Sequence, residues 1–328
     1  EYNASLTWEE KAPVSVARQV YDGVETLDGK IYAIGGWHSS NVTLAERYAP
    51  TSNQWETITS LSVARYGLAT AVMDGKLFAI GGSDDSSVEI YDPTTGQWSA
   101  GPALPATNYH STALTVNGSI WLLGGSANGG GGQVLHLAPN SNQWTSLPNM
   151  TTPRSSSGMV LFDNKVWAIG GAANGQYLDS VEVFDLASNS WSSGPSLTVP
   201  RQHPMAWTAH GKIYVAGGRT SNWTYYDSIE VFDPTTNQWS IAGNMPEKKS
   251  MSGHVVVNGI VYLVAGSKGD YNHSNKVFAT DITPPMDLYF RDANVTGTVT
   301  LDKFAGTVVA KLDGNASALP PLGAVTAV

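Results

Sequence analysis

The chain has 328 residues, 34 glycines, 17 prolines and no cysteine, and its formal net charge at pH 7 is -9. The length suits one large all-β domain or two smaller ones, and a hydrophobic content of 41% excludes wholesale disorder. The negative charge argues against nucleic acid as a partner, and no apolar run reaches the roughly 18 residues that a membrane span needs.

The first predicted element is a strand at Ser5–Glu10 around Trp8, which no repeat precedes. Trp8 stands 47 residues before Trp55, and the sequence that follows repeats this spacing. The strand is therefore predicted to be the last strand of a repeat whose other strands lie elsewhere in the chain.

Six similar segments follow, and in each a short apolar strand ends in a pair of small residues. The pairs are Gly35–Gly36, Gly81–Gly82, Gly124–Gly125, Gly170–Gly171, Gly217–Gly218 and the degenerate Ala265–Gly266. The first residues of successive pairs are 46, 43, 46, 47 and 48 positions apart. A Trp follows a third-strand residue by seven positions in the first five copies, at Trp55, Trp98, Trp144, Trp191 and Trp239. This period predicts units that bury their faces by stacking on their neighbours.

These motifs resemble those of the Kelch family, and the resemblance covers residues 1 to about 282. One clear copy reads Gly-Lys-Leu-Phe-Ala-Ile-Gly-Gly from Gly75 to Gly82, then Glu-Ile-Tyr-Asp-Pro from Glu89, then Trp98. The resemblance implies an all-β, six-bladed propeller with four antiparallel strands per blade. The blades are predicted at about 18–58, 65–101, 108–147, 154–194, 201–242 and 249–282, the last completed by residues 3–10.

Both ends of the chain are predicted to meet in the last blade. No Trp follows Phe278 in the sixth repeat, and the strand around Trp8 supplies the missing one, which closes the ring and removes a free edge. Residues 283–328 form a predicted C-terminal β-rich extension or the start of a further module. Its β-like stretches are Met286–Phe290, Val295–Leu301 and Thr307–Leu312.

One repeat position predicts a charged ring at the mouth of the channel. The residues there, on the face where ligands of Kelch-like proteins bind, are Arg18, Arg65, Asn108, Arg154, Arg201 and Lys249. One interpretation is a focused positive site for carboxylate or sulfate groups. The other is structural pairing with carboxylates inside each blade. A second recurring position is interpreted as structural because it recurs, at Glu46, Glu89, Glu182 and Glu230.

Neighbouring loops supply further candidate binding residues. The candidates are Tyr66, Asp84, Asp85, Tyr109, His110 and His203. Aromatic residues near them are Trp37, Trp223, Tyr225, Tyr226 and Tyr271, together with His38. Aromatic rings beside polar groups suit stacking on a sugar or gripping a peptide.

Glycosylation motifs favour a secreted protein. The Asn-x-Ser/Thr motifs begin at Asn3, Asn41, Asn117, Asn149, Asn222, Asn272, Asn294 and Asn315, where chance gives about four. The chain starts at Glu1 without a signal peptide, so we expect it to be processed or trimmed. Glycans at Asn41, Asn222 and Asn272 would cover blades 1, 5 and 6 of the loop face and leave blades 2 to 4 open. The alternative source of such a composition is a bacterial surface protein.

The sequence therefore predicts a secreted, N-glycosylated, non-catalytic binding or structural module of an extracellular surface, matrix or filament. Its expected partner is an anionic glycan or protein, with self-assembly through residues 284–328. The alternative is a carbohydrate-active enzyme of the sialate-mutarotase type, in which His110, His203 and the arginines would serve as acid and base. An intracellular substrate adaptor is a third possibility. No cofactor or metal is predicted, because the chain lacks the Cys of copper radical oxidases and any HxH or HExxH spacing.

Overall fold

A computed structural model describes residues 6–83, 85–126, 131–220, 223–269 and 272–283, and the backbone of 286–290 and 308–312. Six four-stranded antiparallel sheets make up the described propeller, each ordered from an inner first strand to an outer fourth strand. Among the described residues, no helix has the length and apolarity that a membrane span requires.

The blades follow one another in chain order. Blades 1 to 3 are built from Val24–Leu27, Lys30–Ile34, Ala45–Ala49 and Gln54–Thr57; from Ala69–Met73, Lys76–Ile80, Val88–Asp92 and Gln97–Ala100; and from Thr112–Val116, Ser119–Leu123, Val134–Leu137 and Thr145–Leu147. Blades 4 and 5 are built from Gly158–Phe162, Lys165–Ile169, Val181–Asp185 and Ser190–Gly194, and from Met205–Ala209, Lys212–Ala216, Ser228–Asp233 and Gln238–Asn244. Blade 6 comprises Gly253–Val257, Ile260–Val264, Val277–Asp281 and the N-terminal Trp8–Lys11.

The N-terminal strand closes the sixth blade, which confirms the predicted closure. Trp8 pairs with Thr280 and Lys11 with Val277 in an antiparallel ladder. The strand begins at Trp8 and extends to Lys11, one residue beyond the predicted end; residues 1–5 lie outside the described part of the chain.

The glycine pairs tie each blade to the next. In all six blades the amide of the second residue of the pair donates to a carbonyl of the following blade, from Gly36 to Arg65 at 2.9 Å and, across the closure, from Gly266 to Arg18 at 2.8 Å. Gly36 has φ +111°, and a Cβ there would clash with the carbonyl oxygen of Gln19. A left-handed turn in such close contact requires glycine.

The hydrophobic core is divided among the six interfaces between adjacent blades. Between blades 1 and 2, for example, Tyr32 and Ile34 pack with Leu77 and Tyr91. Indole N–H groups of the outer strands add a hydrogen bond across five of these interfaces; Trp98 Nε1, for instance, donates to Thr59 O at 2.7 Å. Each blade therefore depends on its neighbours for burial, as repeat proteins do.

Short strands also occur outside the blades. Two-residue hairpins, Trp37–His38 with Ser40–Asn41 and Ala172–Ala173 with Gln176–Tyr177, stand in loops between second and third strands. In the C-terminal extension Met286–Phe290 pairs in parallel with Val308–Leu312, whereas the predicted stretch Val295–Leu301 lies outside the described residues. The division of the chain after residue 282 stays a prediction.

Candidate functional site

The four arginines predicted at the channel mouth are buried inside the blades. Arg18, Arg65, Arg154 and Arg201 are each at most 1% exposed. Each forms an ion pair of 2.6 to 3.0 Å with a carboxylate of its own blade; these partners are Glu46, Glu89, Glu182 and Glu230. This corrects the interpretation of these arginines as a focused positive site and agrees with the alternative of structural pairing, because the positive charges are neutralised and shielded from solvent. The structural interpretation of the four glutamates is confirmed.

Each ion pair also secures backbone that would otherwise lack partners. Arg154 Nη1 donates to the carbonyls of Gly170 and Ser180, each at 2.9 Å. Glu182 accepts the amides of Thr151 and Thr152 at 2.7 and 2.8 Å, from the segment that leads into the blade. Burial alone would raise the pKa of Glu182, but these hydrogen bonds and Arg154 outweigh it and hold the pKa below its usual value.

Blades 3 and 6 depart from this pattern. Asn108 is buried and donates from Nδ2 to the carbonyl of Gly124 at 3.1 Å, so it offers no charge to a ligand. Lys249 is fully buried, and its Nζ lies 3.2 Å from a Glu247 oxygen and 4.8 Å from the centre of the Phe278 ring. Neither residue reaches solvent, so the predicted ligand role of this position is corrected in these blades as well.

The acidic and aromatic loop candidates divide into three groups. Asp85 lies 3.6 Å from Arg65 and accepts from the Ser87 hydroxyl at 2.7 Å, so it serves the buried ion pair. Tyr226 packs against Arg201, with 4.9 Å from the guanidinium carbon to the ring centre. Asp84 and Tyr271 lie outside the described residues.

Other candidates meet in a cavity of about 420 Å³ at the loop end of the channel. The described residues that line it are Gln19, Tyr21, Trp37, Tyr66, His110, Gln202, His203, Arg219, Trp223, Tyr225, Met251 and Ser267. Tyr66, His110 and His203 therefore line one cavity, and Tyr109 contacts His110 edge-on with 4.8 Å between ring centres. Most of the lining comes from blades 1, 5 and 6, whereas the sequence placed the open binding arc on blades 2 to 4.

Three aromatic rings form a plug beneath this cavity. Tyr21 stacks on His110 at 4.8 Å and contacts the ring of His203 edge-on at 5.0 Å. All three residues have φ near +50°, and amide-to-carbonyl bonds link His203 through Ser156 to His110. Burial lowers the pKa of His110 to about 4 and lowers that of His203 well below its usual value. Both imidazoles are therefore neutral at pH 7.

Arg219 is a charged residue of this cavity that the sequence did not single out. Its guanidinium carbon lies 4.0 Å from the centre of the Trp223 ring, and its Nε donates to Gln202 Oε1 at 3.1 Å. Trp223 is 59% exposed at the rim of the cavity. The position after each glycine pair carries Trp37, Ser83, Ser126, Ala172, Arg219 and Ser267. A comparison of this column would have singled out its one charged residue.

A second aromatic group lies at the blade 1 and blade 6 side of the cavity. The ring centres of Trp37 and His273 are 5.2 Å apart, at nearly a right angle. His38 Nδ1 lies 2.8 Å from the carbonyl oxygen of Ala17. Among the described residues, no three His, Asp or Glu side chains cluster in a way that could hold a metal ion.

Four of the eight glycosylation motifs begin at described residues. Asn117, Asn149 and Asn272 are exposed, and Asn41 is half-buried in its hairpin. Asn41 and Asn272 stand in second-to-third-strand loops, whereas Asn117 occupies a first-to-second-strand turn on the other face. Asn3, Asn222, Asn294 and Asn315 lie outside the described residues. Occupancy at all eight stays a prediction.

The ring of six four-stranded blades with these glycine and tryptophan motifs defines a Kelch β-propeller. A family model described as the KLHDC2/KLHL20/DRC7 Kelch-repeats domain matches the chain over residues 23–197 and again over 67–266. The chain therefore belongs to the Kelch-repeat family.

Similarity to curated relatives is confined to part of each protein. Human Kelch-like protein 33 is 42% identical over 77 residues, which are 23% of this chain and 14% of that protein. An F-box/kelch-repeat protein of Arabidopsis thaliana is 37% identical over 73 residues, which are 22% of this chain and 17% of the relative. The solved structure of YjhT shares the fold, with a TM-score of 0.73 and 14% identity over 82% of this chain and 96% of YjhT.

Proposed function

We propose that this protein is a secreted, N-glycosylated, non-catalytic binding module that holds an anionic group of an extracellular glycan or protein in the channel-mouth cavity. The observation that carries the proposal is the charge of that cavity. Arg219 forms no ion pair with the described residues, and none of the described lining residues is Asp or Glu. A carboxylate or sulfate would supply the missing counter-charge.

The geometry around Arg219 suits such a ligand. Trp223 stacks on the guanidinium and Gln202 holds its Nε, so both terminal nitrogens remain available for a two-point contact. Tyr21, Trp37 and Tyr66 add aromatic walls on which a sugar ring or a peptide side chain can pack. A volume of about 420 Å³ falls in the range of small-ligand sites.

The test is a binding survey with a matched pair of variants. Sialylated, sulfated and neutral glycans and acidic peptides are presented to the intact protein. We expect acidic ligands to bind and Arg219→Gln to weaken them at least about tenfold, which is about 1.4 kcal/mol. Arg47→Gln removes the same charge from a surface pair with Glu56 and should leave binding unchanged. Equal binding of neutral and acidic ligands would contradict the proposal.

Secretion and glycosylation rest on the excess of sequence motifs. Asn41 and Asn272 flank the cavity side of the loop face, and glycans there would favour a narrow ligand over a broad protein surface. Peptide mapping of protein from its natural source should find these two asparagines modified. Unmodified asparagines at both positions would remove this part of the proposal.

The surroundings of the two histidines do not favour the mutarotase alternative, which needs a proton donor and a proton acceptor. His110 and His203 share the cavity, with 5.1 Å between ring centres, but their lowered pKa values leave no protonated imidazole at pH 7 to act as an acid. An anomer-exchange assay with N-acetylneuraminic acid separates the two functions. Exchange that is lost in His110→Gln would establish the enzyme.

Self-assembly is proposed for the C-terminal extension. Its two described strands form a two-stranded parallel sheet, and a sheet edge of this kind can accept a strand from another chain. Sedimentation of native protein should reveal oligomers. A monomer at all concentrations would remove this proposal and leave the cavity proposal untouched.

A further inference from the structure

A second cavity of about 290 Å³ occupies the other half of the channel, beyond the aromatic plug. Inner strands of all six blades contribute to its walls, among them the threonines Thr26, Thr70, Thr112 and Thr208. It lies towards the face that carries the turns between first and second strands. The residues that form the channel-mouth cavity are absent from its described lining, so the two are separate sites.

The second cavity contains two acids and no basic counter-charge. Asp22 and Glu25 both line it, and the described lining includes no Lys or Arg. The remaining titratable lining residue is His254, whose Nε2 lies 2.6 Å from the carbonyl oxygen of Ala206. Burial lowers the pKa of His254 to about 4, so its ring is neutral near pH 7. Nothing in the described lining balances two carboxylates.

The two carboxyl groups have few hydrogen-bond partners. Asp22 Oδ2 accepts from the Thr112 hydroxyl at 2.7 Å, and Glu25 Oε1 accepts from the Thr26 amide at 2.8 Å. These are the only hydrogen bonds that the two groups make with the described residues. Burial raises the pKa of each to about 7, so both ionise readily if a cation arrives.

Apolar side chains around the acids point independently to a ligand. Leu161 and Val256, 38% and 36% exposed, are among the few large hydrophobic residues open to solvent, and both line this cavity. Trp207 also contributes to the lining, but its ring packs between blades 5 and 6 and its Nε1 is enclosed by protein, so it offers no donor to the cavity. Covering Leu161 and Val256 with an aliphatic stem would be favourable.

We propose that this cavity binds an alkylammonium group, with the ammonium between Asp22 and Glu25 and its aliphatic stem against Leu161 and Val256. Two sources share this chemistry, the lysine side chain of a polypeptide and a free aliphatic amine. They differ in the backbone amides, which the lysine residue carries and a simple diamine lacks.

Calorimetry on the full chain tests the charge requirement. Nα-acetyl-lysine N-methylamide is compared with Nα-acetyl-norleucine N-methylamide, which has the same apolar stem without the ammonium. We expect at least tenfold tighter binding of the lysine probe, and at least a tenfold loss in Glu25→Gln and in Asp22→Asn. Asp28→Asn removes the same charge from an exposed turn of blade 1 and should change affinity less than twofold.

The two sources and the pH dependence give further readouts. Tighter binding of the lysine probe than of 1,5-diaminopentane assigns the site to a polypeptide, and tighter binding of the diamine assigns it to free amines. Because the acids have raised pKa values, binding near pH 7 should release protons and weaken below pH 6. Equal affinity for lysine and norleucine probes would overturn the proposal. The proposal would also be overturned if the Glu25→Gln and Asp22→Asn proteins bound the lysine probe as tightly as the unaltered protein and unfolded at the same temperature. Failure of both ammonium probes to bind would overturn it as well.

Discussion

Blades 5 and 3 stabilise the same corner of the fold with different chemistry. In blade 5, Glu230 pairs with Arg201 at 2.9 Å and accepts the amide of Thr198 at 2.7 Å. In blade 3 the carboxylate position is Leu135 and the arginine position is Asn108. The equivalent of Thr198 is Pro105, which has no amide hydrogen to satisfy.

In blade 6, as in blade 3, the glutamate, the arginine and the amide donor are all replaced. Phe278 occupies its carboxylate position, Lys249 its arginine position and Pro246 the position of the amide donor. Wherever the glutamate is absent, the amide that it would accept is absent too. The comparison teaches that the buried glutamate, its arginine and the amide donor are present or replaced together, so the blade tolerates their joint loss.

The largest predicted effect comes from breaking this set in blade 5. Glu230→Leu leaves a fully buried guanidinium without its carboxylate and the Thr198 amide without an acceptor. We expect a loss of about 3–5 kcal/mol in the free energy of unfolding, measured by urea titration.

A blade 3 mimic is the control for that loss. Arg201→Asn combined with Glu230→Leu removes both charges and should recover at least about 2 kcal/mol, since the unpaired buried charge is gone. Adding Thr198→Pro should recover more. If the double variant is as unstable as Glu230→Leu alone, the set does not act as a unit.

The second prediction uses pH to separate blade 6 from the arginine blades. Burial lowers the pKa of Lys249 to about 8, from 10.5 in an exposed lysine. Between these values the unfolded chain binds more protons than the folded chain, so the contribution of Lys249 to stability rises with pH. Stability should increase between pH 8 and 10 by about 2 kcal/mol relative to Lys249→Met.

The arginine blades supply the contrast for this measurement. Arginine stays charged through this range, so an Arg154→Met variant, although far less stable, should show the same dependence on pH from 8 to 10 as the unaltered protein. Thermal or urea unfolding at pH 8, 9 and 10 measures all three proteins. Parallel curves for Lys249→Met and the unaltered protein would show that Lys249 does not titrate in this window.

Most of the fold could be predicted from the sequence because its signals are periodic. The 47-residue spacing from Trp8 to Trp55 predicted ring closure, and the recurrence of Glu46 and its equivalents predicted a structural role. The role of the arginines was ambiguous because the sequence of a single repeat does not distinguish an exposed arginine from one that is buried in an ion pair. The joint loss of Glu, Arg and the amide donor in blades 3 and 6 was the signal in the sequence that distinguishes a buried pair from an exposed charge.

The sites were harder to predict because they are built from positions that do not repeat. Arg219 falls in a column of mostly small residues. Asp22 just precedes the first strand of blade 1 and Glu25 lies within it, and their equivalents in the other blades are mainly apolar or hydroxyl-bearing. A channel-facing position has no sequence period of its own. Only the closed ring brings these residues to one axis.

The smallest predicted effect compares the closing strand with an ordinary outer strand. Trp8 and Trp98 occupy equivalent positions and are both half-buried, but Trp98 Nε1 donates to Thr59 O at 2.7 Å whereas Trp8 Nε1 is buried without a partner. Replacement by Phe keeps much of the packing and removes the indole N–H. Trp98→Phe should therefore cost about 1 kcal/mol more than Trp8→Phe, since only the former loses a hydrogen bond. Urea unfolding of the two variants measures the difference, and a larger loss in Trp8→Phe would mean that the closing tryptophan is held by a contact that the ordinary blades do not make.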